Sequence, residues 1–112
     1  MSKFFVLYLA PIAAMDQMMA KATPEQMKAG MDAWWVWMNS NKGALVDMGA
    51  PLGKTKRVAA AGISDVRNEV TGYTIVEAES HDAAAKMVVG HPHLMVPGAY
   101  IDVLSVTAIP GM

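Results

Sequence analysis

Residues 72–92 read GYTIVEAESHDAAAKMVVGHP, and they predict a strand that leads directly into a helix. Strand-forming Tyr, Thr, Ile and Val fill Gly72–Ala78. Ser80 is a typical N-cap, and Asp82 in the first turn suits the positive end of the helix dipole. Three apolar residues at helical spacing supply a buried stripe, namely Ala84, Met87 and Val88.

The first strand, predicted at Lys3–Ala10, is apolar on both of its faces. Alternate residues point to opposite sides of a strand. One side carries Phe5, Leu7 and Leu9, and the other carries Phe4, Val6 and Tyr8. A strand of this kind is typically buried on both sides, so something must cover each face of the sheet.

A helix is predicted to begin at Thr23-Pro24-Glu25-Gln26, where Thr23 is the N-cap and Gln26 completes a capping box. It should run to about residues 39–42. Its apolar stripe consists of Met27, Met31, Trp34 and Met38. The preceding residues, 12–22, form a connection of uncertain shape.

Further strands are expected at Ala44–Met48, Lys56–Ala61 and Tyr100–Ala108. The segments Gly49–Gly53 and Asp65–Thr71 are expected to be turns or loops. The order is therefore strand, helix, two or three strands, helix, strand. This order predicts an α+β domain in which both helices cover one face of a sheet.

The composition predicts that the chain pairs with a copy of itself. Its 112 residues have room for one domain, residues 1–112. Hydrophobic residues make up 54% of the chain, more than a small domain can bury alone. Two helices can cover only one face of the sheet, so we expect the other face to stack on a second copy in a homodimer.

Charge and composition also argue against several classes of partner. The net charge is −1 with no cluster of Lys or Arg, so we expect no nucleic-acid partner. No apolar run approaches the ~20 residues of a membrane span, so we expect no membrane partner. The absence of Cys excludes disulfides and thiolate chemistry. The apolar N-terminus is conceivable as a short signal peptide, but its strand-forming residues favour a strand and a cytoplasmic protein.

The residues Glu77-Ala78-Glu79-Ser80 and His91-Pro92 resemble the strand–helix–loop signature of the YCII-related (DGPF-type) family. The opening FFVLYLA strand and the segment KGALVDMGAPLG fit the same pattern, so the resemblance spans nearly the whole chain. It implies a ferredoxin-like domain with an antiparallel sheet that forms a dimeric α/β barrel. It also implies an enzymatic role, inferred in that family from a His–Asp pair at a polar cleft.

The sequence departs from the family at that pair. In the best-known branch the His lies on the first helix and the Asp precedes the Pro after the second helix. Here His91 takes the pre-proline position, and Asp32 lies close to where the family's His would fall. An exchanged pair of Asp32 with His91 is one possibility, although helical periodicity places Asp32 opposite the apolar stripe.

His91-Pro92-His93 is the strongest candidate for chemistry, because imidazole titrates near neutrality and serves as acid, base or ligand. His91 extends the inward stripe of the second helix, where Asp47 or Asp102 could orient the ring and raise its pKa. The alternative is that His91 only caps helix carbonyls while His93 is solvated. No signature supplies further ligands for a metal site, so we expect none.

Aromatic side chains are the second candidate feature. Trp34 continues the apolar stripe and is expected in the core. Trp35 and Trp37 are expected to cover a partner, a pocket wall or residues 15–19, with plain packing as the alternative. Asp47 and Asp102 lie in strand-like apolar runs, where a buried carboxylate invites a functional interpretation and an exposed strand edge is the simpler one.

Together these features predict a protein that binds a small organic molecule, without a cofactor, in a cleft near His91 lined by aromatic residues and Met. The predicted catalytic residues are His91, Asp47 and Asp32. The predicted ligand-binding residues are His93, Trp37, Trp35, Tyr8 and Asp102. The predicted function is to bind that molecule or to turn it over by acid–base chemistry, and two alternatives stay open: a non-catalytic binding or regulatory module, or a cofactor-independent oxygenase-like enzyme.

Overall fold

The computed structural model describes residues 1–111 and contains helices and strands in the order of an α+β fold. The strands are β1 (Ser2–Leu9), β2 (Leu45–Pro51), β3 (Thr55–Ala59), β4 (Gly62–Val66), β5 (Val70–Ala78) and β6 (Tyr100–Ser105). The helices are α1 (Ile12–Lys21), α2 (Pro24–Ser40) and α3 (His81–Met87), followed by a 3-10 helix at Pro92–Met95.

Four strands form one antiparallel sheet in the order β2-β5-β1-β6. β5 and β1 are therefore the central strands, which agrees with the apolar character of both faces of β1. β3 and β4 form a separate two-stranded hairpin with Val58 opposite Ile63. The predicted antiparallel α+β architecture is confirmed.

The core lies between the sheet and the helices α2 and α3. Phe4, Val6 and Tyr8 point from β1 into this layer and are buried. Trp37 from α2 and Ala84 from α3 pack against the same cluster. Two helices thus cover one face of the sheet, as the sequence predicts.

The opposite face, which we call the open face, remains accessible. Phe5, Leu7 and Leu9 are only half-buried there, although they alternate with fully buried residues. Phe5 stacks on Tyr73 of β5 with ring centroids 5.4 Å apart. This is the apolar face that a second copy of the chain is predicted to cover.

Two elements differ from the sequence predictions. The sequence predicts a connection of uncertain shape at residues 12–22, but the chain forms α1 there. This helix has Pro11 at its N-cap and no side-chain cap, so the sequence lacks a signal for its start. A strand that was not predicted, β4 at Gly62–Val66, overlaps the start of the turn expected at Asp65–Thr71. It pairs with β3 because Gly62, at φ +134°, allows a tight reversal.

The apolar stripe of α2 is buried only in its C-terminal half. The helix begins at Thr23 with the predicted capping box, since the hydroxyl of Thr23 accepts from Gln26 N–H at 3.1 Å. Met27 and Met31 are exposed, however. No helix in residues 1–111 is long and apolar enough to cross a membrane.

Candidate functional site

The two histidines of the His91-Pro92-His93 tripeptide are both buried, with exposed fractions of 1% for His91 and 4% for His93. Gly90, at φ +75°, turns the chain after α3, and His91 N–H donates to the carbonyl of Val88 at 3.1 Å. His91 is the N-cap of the 3-10 helix. The alternative interpretation, in which His93 is solvated, is therefore wrong.

His91 lies in a box of aromatic rings. Its ring centroid is 4.9 Å from Tyr8, 4.5 Å from Trp34 and 4.6 Å from Trp37. Its Nδ1 accepts a hydrogen bond from the backbone N–H of His93 at 3.0 Å, so the neutral ring carries its hydrogen on Nε2. Nε2 is buried and has no hydrogen-bond partner among residues 1–111.

The aromatic box disfavours a charged His91. Burial lowers the pKa of His91 from 6.5 to about 4, and the neighbouring His93 acts in the same direction. The sequence predicted the opposite, a pKa raised by a carboxylate. That expectation is wrong, because neither nitrogen of the ring meets a carboxylate.

The three candidate carboxylates lie elsewhere. Asp47 accepts a hydrogen bond from the backbone N–H of Gly49 at 2.7 Å. Asp32 forms an exposed ion pair with Lys28 at 3.0 Å. Asp102 pairs across the sheet with Leu7 on the open face, away from the helices. The structure brings none of them to His91, and their roles in catalysis and binding stay predictions.

His93 is the histidine that lines a cavity. Its Nε2 donates to the carbonyl of Leu9 at 2.7 Å, because a carbonyl oxygen can only accept. In the neutral ring this leaves Nδ1 as an acceptor. The bond to Leu9 fixes the ring relative to β1, and the bond from its own N–H to His91 fixes its backbone.

The cavity has a volume of about 750 Å³ and lies between α1, α2, the 3-10 helix and the adjoining ends of β2 and β5. Tyr8, Trp34 and Trp35 line it, and Tyr73 borders it from β5 although its ring stacks on Phe5 on the open face. Six methionines are the other large group in the wall, namely Met15, Met18, Met31, Met38, Met48 and Met95. This wall agrees with the predicted cleft of aromatic residues and Met.

Among the described residues that line the cavity there is no Lys, Arg, Asp or Glu. The hydroxyl of Tyr8 is engaged, because it bonds Thr74 Oγ1 at 2.8 Å and that hydroxyl donates to the carbonyl of Met48 at 3.2 Å. Burial raises the pKa of Tyr8, with the bond to Thr74 as a smaller opposing effect. Tyr8 is thus a neutral, fixed side chain in the cavity wall, and its hydroxyl oxygen can still accept a hydrogen bond.

The division of the tryptophans between the core and the cavity wall differs in part from the prediction. Trp37, predicted to bind ligand, is buried in the core and donates from Nε1 to the carbonyl of Met87 at 3.0 Å. Trp34, predicted in the core, packs against the core cluster while half-buried, and it also lines the cavity beside Trp35. The helix is wound so that Trp37 meets the sheet and Trp34 meets the cavity.

Several lining residues were not singled out from the sequence. The methionines of α1 lie in residues 12–22, for which the sequence predicts only a connection of uncertain shape. Gly49 was seen as part of a loop, yet it adopts φ +75° in β2 and leaves no room for a Cβ against the carbonyl of Tyr73. Its signal in the sequence is a single Gly in a strand-like run, which indicates a bulge or close backbone approach.

Comparisons with known proteins support the fold. The chain matches no protein-family model and no curated protein. Among solved structures it is similar to the 5-chloro-2-hydroxyhydroquinone dehydrochlorinase TftG from Burkholderia phenoliruptrix AC1100, solved in complex with 2,5-dihydroxybenzoquinone. The two are 14% identical with a TM-score of 0.50, and the likeness covers 89% of this chain and 90% of that one.

The neighbour has the dimeric α/β-barrel fold, so the predicted fold class is confirmed. The predicted kinship with the YCII-related family is compatible with this likeness. At 14% identity the likeness concerns the fold, and the chemistry of this chain has to be argued from its own cavity.

Proposed function

We propose that the protein binds a small, uncharged and largely apolar molecule in the cavity beside His93. The absence of Lys, Arg, Asp and Glu from the described wall carries this proposal. A charged ligand would lose its hydration in such a site without gaining a partner of opposite charge. The volume of about 750 Å³ lies within the range that is usual for sites of small ligands.

The shape and polarity of the site favour a flat ring that carries a hydroxyl group. Trp34 and Trp35 offer aromatic surface, and the methionines adapt to irregular outlines. Nδ1 of His93 is the acceptor that such a hydroxyl would find. The methionine-rich wall is consistent with a site that accepts several related ligands.

A pair of probes that differ only in charge tests this proposal. We expect 2-naphthol to bind and 2-naphthoate to bind at least about tenfold more weakly, measured by calorimetry and by the fluorescence of the tryptophans. Equal affinity for both compounds, or no binding of either, would contradict it. The variant Trp35→Ala should weaken the binding of 2-naphthol. Val46 is exposed on β2 and lies outside the cavity wall, so Val46→Ala should leave this binding unchanged.

The acid–base enzyme predicted from the sequence is the second candidate function. It is favoured by one observation, a buried histidine held at both its ring and its backbone in the wall of an apolar cavity. In this proposal His93 Nδ1 takes the proton of a bound hydroxyl. His91 holds the backbone of His93 and does not touch the substrate.

The named substrate of TftG gives a first compound for testing catalysis, since its fold is shared. Chloride release from 5-chloro-2-hydroxyhydroquinone would be followed in the wild type and in His93→Gln. Release that His93→Gln abolishes, with folding intact, supports the enzyme. Binding of 2-naphthol without any turnover leaves the non-catalytic module as the function.

We also propose that the protein is a homodimer in which two open faces stack. The half-buried Phe5, Leu7 and Ile75 support this, because contiguous apolar surface on a sheet is usually covered. Sedimentation at micromolar concentration should give twice the chain mass of 12.0 kDa. The variant Leu7→Lys should give a monomer, whereas Lys3→Gln, at the edge of the same face, should remain a dimer.

A further inference from the structure

The hydroxyl of Tyr8 belongs to a short chain of hydrogen bonds on the side of the cavity that the sheet forms. It bonds Oγ1 of Thr74 at 2.8 Å, and Oγ1 of Thr74 in turn bonds the carbonyl of Met48 at 3.2 Å. Thr74 is fully buried and stands outside the cavity wall, although Tyr73 beside it and Met48 both border the cavity. The hydroxyl end of Tyr8 therefore lies next to the cavity, with Thr74 behind it.

The number of hydrogens along this chain fixes its direction. A carbonyl oxygen can only accept, so the single hydrogen of the Thr74 hydroxyl goes to Met48. Oγ1 of Thr74 is then the acceptor for Tyr8, and the Tyr8 hydroxyl spends its own hydrogen on Thr74. Toward the cavity Tyr8 consequently offers a lone pair and no hydrogen.

A bulge in β2 supplies the carbonyl that accepts from Thr74. Between Asp47 and Ala50 the register of β2 against β5 shifts, because three steps along β2 match two along β5. Gly49 stands in this bulge at φ +75°, and the side chain of Asp47 accepts its N–H at 2.7 Å. A bulge interrupts the regular ladder, which makes the carbonyl of Met48 available to a side chain. The backbone therefore sets the direction of the chain.

His93 places a second acceptor beside Tyr8. The two ring centroids are 5.4 Å apart. Nε2 of His93 donates to the carbonyl of Leu9, so Nδ1 of the neutral ring carries a lone pair. This Nδ1 has no partner among residues 1–111 and, unlike Nε2 of His91, remains accessible. Two neighbouring polar atoms of the wall thus both require a hydrogen from the ligand.

The side-chain donors of the wall that have no partner among residues 1–111 belong to a different element. They are the indole N–H groups of Trp34 and Trp35 and the amide of Gln26, all on α2. The hydroxyl of Thr71, also in the wall, already donates to the carbonyl of Tyr8 at 3.1 Å. A polar group that meets Tyr8 and His93 has to bring its own hydrogens.

We infer that this end of the cavity takes ligands with two neighbouring hydrogen-bond donors, one for the Tyr8 oxygen and one for Nδ1 of His93, and that Thr74 is the positioning residue that keeps Tyr8 an acceptor. The inference rests on the proposed binding of an uncharged molecule and names the class of its polar groups. A ligand carbonyl at the same place faces two lone pairs and loses its hydration without gaining a donor there.

Two ligands that differ by one hydroxyl test the pair of acceptors. The wild type should bind 2,3-dihydroxynaphthalene about three- to tenfold more tightly than 2-naphthol, the gain of roughly one hydrogen bond. In Tyr8→Phe this gain should vanish while 2-naphthol, whose hydroxyl uses His93, binds as before. Calorimetry measures both affinities. A diol that binds no more tightly than 2-naphthol, or a gain that persists in Tyr8→Phe, overturns the inference.

Replacing Thr74 tests the direction of the hydrogen bonds. Valine has nearly the shape of threonine but cannot accept, so in Thr74→Val the hydrogen of Tyr8 is released toward the cavity. The two-ring ketone 1-tetralone should then bind about three- to tenfold more tightly than it binds the wild type, and naphthalene should bind equally to both. Thr74→Ser restores the hydroxyl and the wild-type affinity. Thr55→Val, the same change on β3 outside this wall, is the matched control.

The double variant Tyr8→Phe/Thr74→Val identifies the group that gains the ketone. It lacks the Tyr8 hydroxyl, so the tighter binding of 1-tetralone should disappear. Circular dichroism establishes that each variant is folded, and the diol comparison in Tyr8→Phe decides if Thr74→Val does not fold. No gain for 1-tetralone in a folded Thr74→Val overturns the role of Thr74. A wild type that binds neither naphthalene nor 2-naphthol overturns the proposed function itself.

Discussion

The Nδ1 atom of His91 accepts a hydrogen bond from the backbone N–H of His93 at 3.0 Å, and the two rings have different surroundings. His91 is enclosed by Tyr8, Trp34 and Trp37, whereas His93 lines the cavity. The 3-10 helix that begins at this bond therefore links a buried, neutral imidazole to one at the ligand site. Each histidine can be tested separately.

Ligand binding should depend on His93 more than on His91. In His93→Leu the acceptor for a ligand hydroxyl is lost, so 2-naphthol should bind about tenfold more weakly, the loss of roughly one hydrogen bond. Naphthalene, which has no hydroxyl, should be affected far less. His91→Asn keeps an N-cap acceptor and should bind both compounds as the wild type does. Calorimetry at neutral pH gives the affinities of all three proteins. Binding that is weaker only in His91→Asn would mean that His91, and not His93, contacts the ligand.

Trp37 should matter for stability and Trp35 should not. Trp37→Phe removes a buried bond to the carbonyl of Met87 together with part of a core ring, and should lower the free energy of unfolding by about 1–3 kcal/mol. Trp35 is 51% exposed, so Trp35→Phe should change the free energy of unfolding by less than about 0.5 kcal/mol. Urea denaturation gives both values. Equal losses would mean that the two indoles share one environment.

Two glycine substitutions should have opposite effects. Gly49→Ala places a Cβ against the carbonyl of Tyr73 at φ +75°, and should destabilise the protein by at least about 2 kcal/mol. Gly30 lies in α2 with open space around it, so Gly30→Ala should stabilise by about 0.5–1 kcal/mol. Thermal unfolding of the pair is the measurement. A harmless Gly49→Ala would show that β2 and β5 can separate at this point.

Local signals in the sequence predict much of the fold. The capping box of Thr23 with Gln26 and the N-cap at Ser80 are confirmed as hydrogen bonds. The apolar faces of β1 also reveal a central strand. In contrast, α1 has no capping side chain, and β4 alternates too few apolar residues to show strand periodicity. Their formation depends on neighbours in space, which a single sequence does not display.

The predicted tripeptide borders the cavity, but its surroundings differ from those that the sequence suggested. Helical periodicity predicts that His91 continues the inward stripe of α3, and the ring is indeed buried. It could not show that the surrounding residues are aromatic, because Tyr8, Trp34 and Trp37 come from elements far apart in the chain. The expected partner carboxylates, Asp32 on α2 and Asp47 and Asp102 on strands, are all solvent-exposed, as is usual for Asp.

The burial of His91 predicts that the protein loses stability in mild acid. The pKa of His91 is about 4 in the folded chain, against 6.5 for a free imidazole. Below pH 6.5 the unfolded chain takes up a proton that the folded chain does not, so stability falls as the pH falls from about 6.5 to about 4. Below pH 4 both states are protonated and this loss is complete, at no more than about 3 kcal/mol.

The variant His91→Asn isolates this effect. Asn accepts a hydrogen bond from the N–H of residue 93 but does not titrate, so the slope of unfolding free energy between pH 6.5 and pH 4 should shrink. His81→Gln is the matched control, since His81 is exposed at the start of α3. Urea denaturation at half-unit pH steps gives the three curves, and an unchanged slope in His91→Asn would show that His91 is protonated in the folded protein.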